Sequence, residues 1–397
     1  MVKKFKVSLL GWVAIAITGG VLFGQFLPSS VARLFVTFNG LFGNFLSFAI
    51  PLIILGLVAP AIGELGKGAG RLLAITALIA YGSTLFSGFF TYFSGSVVLP
   101  QLLTPNASLT ALENPEDFML TPYFAIAIPP LMDIMTSLVL AFVIGLGLSS
   151  IKGTALQACF ADFRDVIMKL IGGVIVPLLP FHIFGIFLNI TVSGQVVTII
   201  VMFLKVIVFI FILHVALLLI QFTVAGAIAK RNPFAMLKTM MPAYLTALGT
   251  QSSAATIPVT LRQVLKLGVR EQIAVFTVPL CATIHLAGST LKIVACAMAI
   301  ILMTGEPVNF IQFGGFILML GVVMVAAPGV PGGAIMAALG LLGSMLGFTE
   351  TLQALMIALY IAMDSFGTAC NVTGDGAIAT VVDRIDGVFR RQDAVNT

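Results

Sequence analysis

Long apolar stretches follow one another along almost the whole chain, and this feature constrains the fold most. At about 1.5 Å per helical residue, each stretch is long enough to cross roughly 30 Å of hydrocarbon. The chain is 59% hydrophobic and only 9% charged, well below the charged share of soluble domains. We therefore predict an all-α integral membrane protein with lipid around it. The predicted spans are 7–27, 39–63, 71–100, 122–150, 165–192, 195–227, 271–303 and 350–380.

Composition also excludes several classes of partner. The net charge of +5 is spread along the chain rather than clustered, so no nucleic-acid partner is predicted. The four cysteines show no CxxC spacing and no neighbouring histidine pair. This pattern favours buried free thiols over a metal site or disulfides. No resident cofactor is predicted.

Two further apolar stretches, 233–268 and 308–347, are interrupted at their middles. The first contains GTQSSAATIPV and the second APGVPGG. Glycine, proline and small hydroxylated residues continue a helix poorly, so non-helical backbone is expected at membrane depth, where protein or water must surround it. Two interrupted segments at corresponding places of a membrane chain indicate a transporter binding site.

The basic residues orient the chain. No Lys or Arg occurs in 72–151, and acidic residues occupy the loop after the third span, so that loop is predicted to be external. If both interrupted stretches re-enter from the side on which they started, Arg262 and Lys266 lie on the cytoplasmic side. Ten full crossings would place them outside. We predict eight transmembrane helices, two re-entrant helical hairpins and cytoplasmic termini.

A polar stripe crosses the last span. Asp364, Thr368, Asn371 and Asp375 stand in the run MDSFGTACNVTGDGA, and the last three lie within about 40° of Asp364 on a helical wheel. A carboxylate at the bilayer centre costs roughly 2.5–3.5 kcal/mol, so such residues usually face a bundle interior and mark a substrate or ion pathway. The stripe indicates a transporter.

Four motifs in this order resemble one family, the dicarboxylate/amino acid:cation symporters of the glutamate-transporter superfamily. They are TQSSAATIPVT, VPLCATIHLAG, GVPGGAIM and MDSFGTACNVTGD. The resemblance implies a bacterial-type homotrimer in the cytoplasmic (inner) membrane that works by an elevator mechanism. It implies scaffold segments 1–70 and 101–193, with an external loop in the second. It implies a mobile transport domain from 71–100 and 194–380, followed by a cytoplasmic tail, 381–397.

The resemblance also implies the substrate site. Asp364 would accept the α-ammonium group of an amino acid, and the serines of the first hairpin tip would bind its carboxylate. The second tip would act as a gate. The positions that match the family's substrate site are Gln251, Ser252, Ser253, Gly329, Val330, Pro331, Gly332, Asp364, Gly367, Thr368 and Asn371.

Two departures from the family pattern bear on the substrate. Members with acidic substrates carry an arginine at the position of Gly367 or, in a relocated form, at that of Gln251. A second substrate carboxylate would lack a bidentate partner here. We therefore predict a small neutral amino acid such as serine, threonine or alanine. A dicarboxylate, an acidic amino acid and cystine are the alternatives.

The family resemblance constrains the coupling cation less than it constrains the substrate site. In the seventh span the family's Asn-Met-Asp triplet is replaced by His285, Leu286 and Ala287, which removes oxygen ligands that a hard cation prefers. Na⁺ remains possible at Asn371 and Asp375, and a proton is the alternative because histidine titrates near neutrality. We expect fewer sodium ions than in a three-sodium relative. The candidate coupling positions are Ser83, Thr84, Cys281, Thr283, His285, Asn371 and Asp375.

Two other functions, an intramembrane hydrolase and a channel, fit the sequence less well than a transporter. Ser252 or Ser253 with His285 could form an intramembrane hydrolase, but no nucleophile motif surrounds the serines. A channel fits re-entrant loops, yet two dissimilar hairpins argue against a symmetric pore. The protein is therefore predicted not to be an enzyme. Lys292, deep in the seventh span, must either extend its ammonium to the interface or find a partner.

Overall fold

The computed structural model describes residues 9–67, 70–103, 120–194, 196–329 and 331–396, and every regular element in these ranges is a helix. The predicted all-α class is confirmed for this part of the chain. The helices are α1 (Leu9–Gly24), α2 (Ser29–Lys67), α3 (Gly70–Leu103), α4 (Ile134–Ser150), α5 (Ala155–Leu170), α6 (Val176–Val192), α7 (Val196–Ala229), α8 (Pro233–Thr250), α9 (Ser253–Lys266), α10 (Glu271–Ile284), α11 (Ala287–Met303), α12 (Phe310–Val325), α13 (Gly333–Leu346), α14 (Glu350–Ala362) and α15 (Asp364–Asn396).

Several helices are long and apolar enough to cross a bilayer. Among the residues that the structure describes, five segments qualify by length and composition, and α14 with α15 forms a sixth that is bent by 61°. The five are Ser29–Gly63, Arg71–Leu103, Ala155–Val192, Val196–Ala229 and Glu271–Met303. The helices α1, α4, α12 and α13 are apolar but shorter.

The fourth span was predicted at 122–150, but its helix, α4, begins only at Ile134. Residues 120–133 contain no helix, and Asn44 of α2 donates to the Ile126 carbonyl at 2.7 Å. Paired prolines at 129–130 lack N–H donors and disfavour helix before them. Asp133 then caps α4 by accepting from Thr136 N at 2.9 Å.

The fifth span was predicted at 165–192, but the helical segment begins ten residues earlier. Its helix starts at Ala155 and continues through a π-helical turn, Ile171–Ile175, into α6. Gly172 and Gly173 lie in that turn, where the missing side chains ease the wider backbone path.

The helices pack as two groups. One group contains α1, α2, α4, α5 and α6. Within it α2 packs against α4, α5 and α6, and α1 packs against α6. In the other group α15 is central and packs against α7, α8, α9, α10 and α11. Both interrupted stretches fold back on themselves, because α8 packs on α9 and α12 on α13. The predicted interruptions of 233–268 and 308–347 are confirmed.

Two of the predicted spans, 271–303 and 350–380, are each interrupted by a short break. A break at His285 and Leu286 separates α10 from α11, and Met363 separates α14 from α15. The first amide groups of α11 have no carbonyl within their own helix. Asn371 accepts from two of them, as described below, so a neighbouring helix stabilises the break.

Candidate functional site

The two hairpin tips meet. Ser252 is the N-cap of α9, and its Oγ accepts from Ala255 N at 3.3 Å. The same Oγ donates to the carbonyl of Gly329 in the second tip at 2.8 Å. Ser253 is buried as the first residue of α9. The α9 N-terminus, with its positive dipole end, therefore opens where the tips touch, which suits a carboxylate.

Two of the remaining tip residues, Gln251 and Gly332, have left-handed backbone conformations. Gln251 has the left-handed φ of 54° that ends α8, and its Nε2 donates to Ser365 Oγ at 3.4 Å. Pro331 is half-buried in the second tip. The predicted substrate position Val330 lies outside the described residues. Gly332 caps α13 with φ 73°, a conformation that glycine adopts without strain.

Asp364 is the first residue of α15 and is already bound on both oxygens. Its Oδ2 accepts from Gly332 N of the second tip at 2.8 Å. Its Oδ1 accepts from Lys292 Nζ at 3.1 Å. The same Nζ donates to the Met363 carbonyl at 3.3 Å and lies 3.6 Å from the centroid of the Tyr360 ring. Asp364 thus joins the second tip to α11.

Lys292 pairs inside the protein and does not extend to the membrane interface. Its side chain is 0% exposed. A Cβ built on Gly367 would lie 2.7 Å from Lys292 Nζ and 3.0 Å from its Cδ. The lysine side chain therefore fills the space where a side chain at 367 would begin.

Asn371 holds α15 against the start of α11. Its Oδ1 accepts from Gly288 N at 2.8 Å and Ser289 N at 3.3 Å, and its Nδ2 donates to Ser289 Oγ at 3.0 Å. Thr368, one turn before Asn371, is buried on the same helix. Asn371 therefore satisfies the orphan donors at the helix break.

A second buried pair lies one turn further along α15. His285 Nδ1 is 2.9 Å from Asp375 Oδ1, and the two side chains are 0% and 1% exposed. His285 Nε2 is 3.0 Å from Ser83 Oγ, which also accepts from Gln221 Nε2 at 3.0 Å. Asp375 Oδ2 has no hydrogen-bond partner among the described residues. A buried carboxylate oxygen without a donor is costly, and a bound cation or a proton would offset that cost.

The other predicted coupling positions use their polar groups locally. Thr84 Oγ1 donates to the Ala80 carbonyl of its own helix at 2.9 Å. Thr283 is exposed and donates to Leu280 O at 2.8 Å. Cys281 is buried, and its carbonyl accepts from His285 N at 2.9 Å. The hydroxyls of Thr84 and Thr283 therefore bond to carbonyls of their own helices.

Sequence reasoning missed three residues of the site. Tyr360 lies one helical turn before Asp364 in sequence, so it continues the polar stripe by the same step of four residues. Gln221 is an isolated amide in the apolar α7, which is the usual signal of an intramembrane functional position. Ser289 stands two residues after the last residue of the seventh-span triplet. In each case the signal was present, but the partner was not evident.

The sequence of this chain is similar to those of several known proteins. A sequence profile of the sodium:dicarboxylate symporter family matches residues 9–385. Serine/threonine transporter SstT of Streptococcus suis is 25% identical over 345 residues, which cover 83% of this chain and 93% of that protein. Mouse excitatory amino acid transporter 4 is 32% identical over 255 residues, covering 62% and 44%. Human excitatory amino acid transporter 2 is 31% identical over 156 residues, covering 39% and 27%. The chain spans nearly all of the bacterial relative and less than half of each mammalian one.

Proposed function

The chain belongs to the sodium:dicarboxylate symporter family, and from that premise we propose a secondary symporter that carries a small carboxylate-bearing solute across a membrane with a cation. The observation that carries this proposal is the meeting of both hairpin tips with Asp364. Ser252 contacts Gly329, and Gly332 donates to Asp364. Non-helical backbone inside a helical membrane protein belongs where a polar solute or ion binds.

The proposed architecture is eight spans and two re-entrant hairpins, with both termini in the cytoplasm and the chain in the cytoplasmic membrane. The back-folded pairs α8–α9 and α12–α13 support the hairpins. The two packing groups support a scaffold of α1, α2, α4, α5 and α6 beside an elevator-like transport domain. The homotrimer is carried over from the family resemblance and stays a proposal.

Single-cysteine labelling tests the topology. In a background without the native cysteines, a single cysteine is placed at Lys152, Arg231 or Arg391. Each should be labelled only by a reagent that can enter the cytoplasm, because hairpins return the chain to their side of entry. Labelling of the Arg391 position from outside would contradict the eight-span arrangement. Ten crossings would instead place the Arg262 position outside.

Two substrate candidates follow from different observations. A small neutral amino acid, as the sequence predicts, is supported by the missing arginines at Gly367 and Gln251 and by the name of the 25% identical relative. A small organic acid without an ammonium group is favoured by the contact between Lys292 and Asp364. Both are carboxylates, and both fit the proposed class.

The coupling cation is proposed to bind at Asp375. Its Oδ2 is the free carboxylate oxygen of the buried pair, and sodium is the first candidate because hard cations prefer oxygen ligands. Asn371 Oδ1 already accepts two amide protons, so the geometry supports fewer sodium ions than a full three-sodium set. A proton shared by His285 and Asp375 is the second candidate.

Uptake into proteoliposomes tests symport and coupling together. With the proton gradient collapsed, uptake should rise with external sodium, and Asp375→Asn should remove that dependence because it removes the anionic ligand. Asp383→Asn, eight residues after Asp375 in α15, is the matched control and should keep the sodium dependence. Uptake that needs no sodium and stops when the proton gradient is collapsed would make the proton the coupling ion.

A further inference from the structure

Lys292 is a fully buried cation at the centre of the site. We infer that Lys292 is a specificity-determining residue which supplies Asp364 with a resident ammonium group, so that the site takes a small organic acid without an ammonium group of its own. This inference rests on the proposed symport of a carboxylate. It concerns only which carboxylates are carried.

The position of Lys292 carries the first step. Asp364 is the residue expected to accept a solute's ammonium group, yet its Oδ1 already accepts from an ammonium at 3.1 Å. Its Oδ2 accepts from Gly332 N at 2.8 Å. The chain therefore presents, from α11, the same chemical group that an amino acid would bring.

The fixed setting of Lys292 carries the second step. An ammonium has three donors; one goes to Asp364 and one to the Met363 carbonyl at 3.3 Å. The face of Tyr360 lies 3.6 Å from Nζ, which adds a cation–π attraction. The lysine stem lies against Gly367, whose missing side chain leaves the room. The position of the Lys292 side chain therefore depends on a glycine at 367.

Electrostatics carries the third step. Among the described carboxylates, Asp364 is the one within ion-pair distance of Lys292. A solute ammonium that displaced Lys292 would leave a buried cation without its anion, and such a charge is strongly disfavoured. A solute carboxylate faces no such conflict, because it leaves the ion pair between Lys292 and Asp364 intact and the α9 N-terminus at Ser252 favours an anion.

The inference is tested with pairs of probes in which one member carries a hydroxyl group in place of the amine of the other. For the purified full-length protein, binding is measured by ligand-induced thermal shift for alanine against lactate and for aspartate against malate, and uptake of each is measured in proteoliposomes. The amine-free member of each pair should bind about tenfold or more tightly than its amino acid, a difference of about 1.4 kcal/mol. Equal or tighter binding of alanine and aspartate would overturn the inference.

Replacing the resident ammonium should reverse the preference. In Lys292→Met, Asp364 is released to accept a solute ammonium, so alanine or aspartate should gain on its amine-free partner. Lys205→Met is the matched control, since Lys205 also lies in an apolar helix but donates to Leu102 O, and it should keep the parent's order. A Lys292→Met protein that folds and keeps the parent's preference contradicts the inference. If it does not fold, the parent's probe pairs decide alone.

The two levels of proposal fail differently. Transport of amino acids in preference to organic acids would contradict the inferred role of Lys292 but not the proposed cation-coupled symport. Absence of uptake for every carboxylate under both sodium and proton gradients would sink the proposed function itself, and the inference with it.

Discussion

Asp364→Asn is expected to abolish uptake and to destabilise the folded protein. The change leaves Lys292 buried without its anion and weakens the bond from Gly332 N that joins the second hairpin tip to α15. Breaking one side of a buried ion pair costs about 3–5 kcal/mol. Thermal unfolding in detergent and uptake in proteoliposomes measure the two effects.

A double variant separates the two effects. Asp364→Asn with Lys292→Met removes both charges, so it should regain most of the lost stability, while uptake stays at background because the tip still lacks its carboxylate. The control Asp383→Asn removes the charge that pairs with Arg270 Nε, while Arg270 keeps Asp386 at 2.9 Å, so this variant should preserve uptake. An Asp364→Asn protein that transports at the parent's rate would show that the site lies elsewhere.

Gly367→Arg is expected to disrupt the protein rather than to convert it to an acidic amino-acid carrier. From the sequence alone, an arginine at this position would supply a missing carboxylate partner. In the structure the new Cβ would lie 2.7 Å from Lys292 Nζ, and a second buried cation would stand beside the first. Overpacking alone costs about 1–3 kcal/mol, and the like charges add to it.

Removing the lysine should make room for the arginine. Gly367→Arg with Lys292→Ala is expected to unfold at a higher temperature than Gly367→Arg alone, because one buried cation then replaces another. A smaller pair checks the packing: Gly367→Ala should destabilise, whereas Gly147→Ala, which meets nothing within 4 Å, should not. Equal stability of Gly367→Arg with and without Lys292 would refute the proposed steric conflict.

The local features of the fold were predictable from the sequence. Apolar length fixes which segments can lie in a bilayer, and Gly, Pro and small hydroxylated residues fix where 233–268 and 308–347 cannot remain helical. The break at His285 is stabilised by Asn371 of another helix, which accepts from two free amides of α11. Asn371 and Gly288 are 83 residues apart, so neighbouring residues in the sequence do not show this contact.

The sequence by itself determined the class of protein, the family and the polar stripe from Asp364 to Asp375, because each is written in neighbouring residues. Only the tertiary structure decided the pairing of charges. Lys292 and Asp364 stand 72 residues apart, and His285 and Asp375 stand 90 apart. A buried charge is stable only beside its partner, and which partner that is depends on how α11 packs on α15. A chain without an arginine at 367 therefore still holds a cation there, which the order of residues does not reveal.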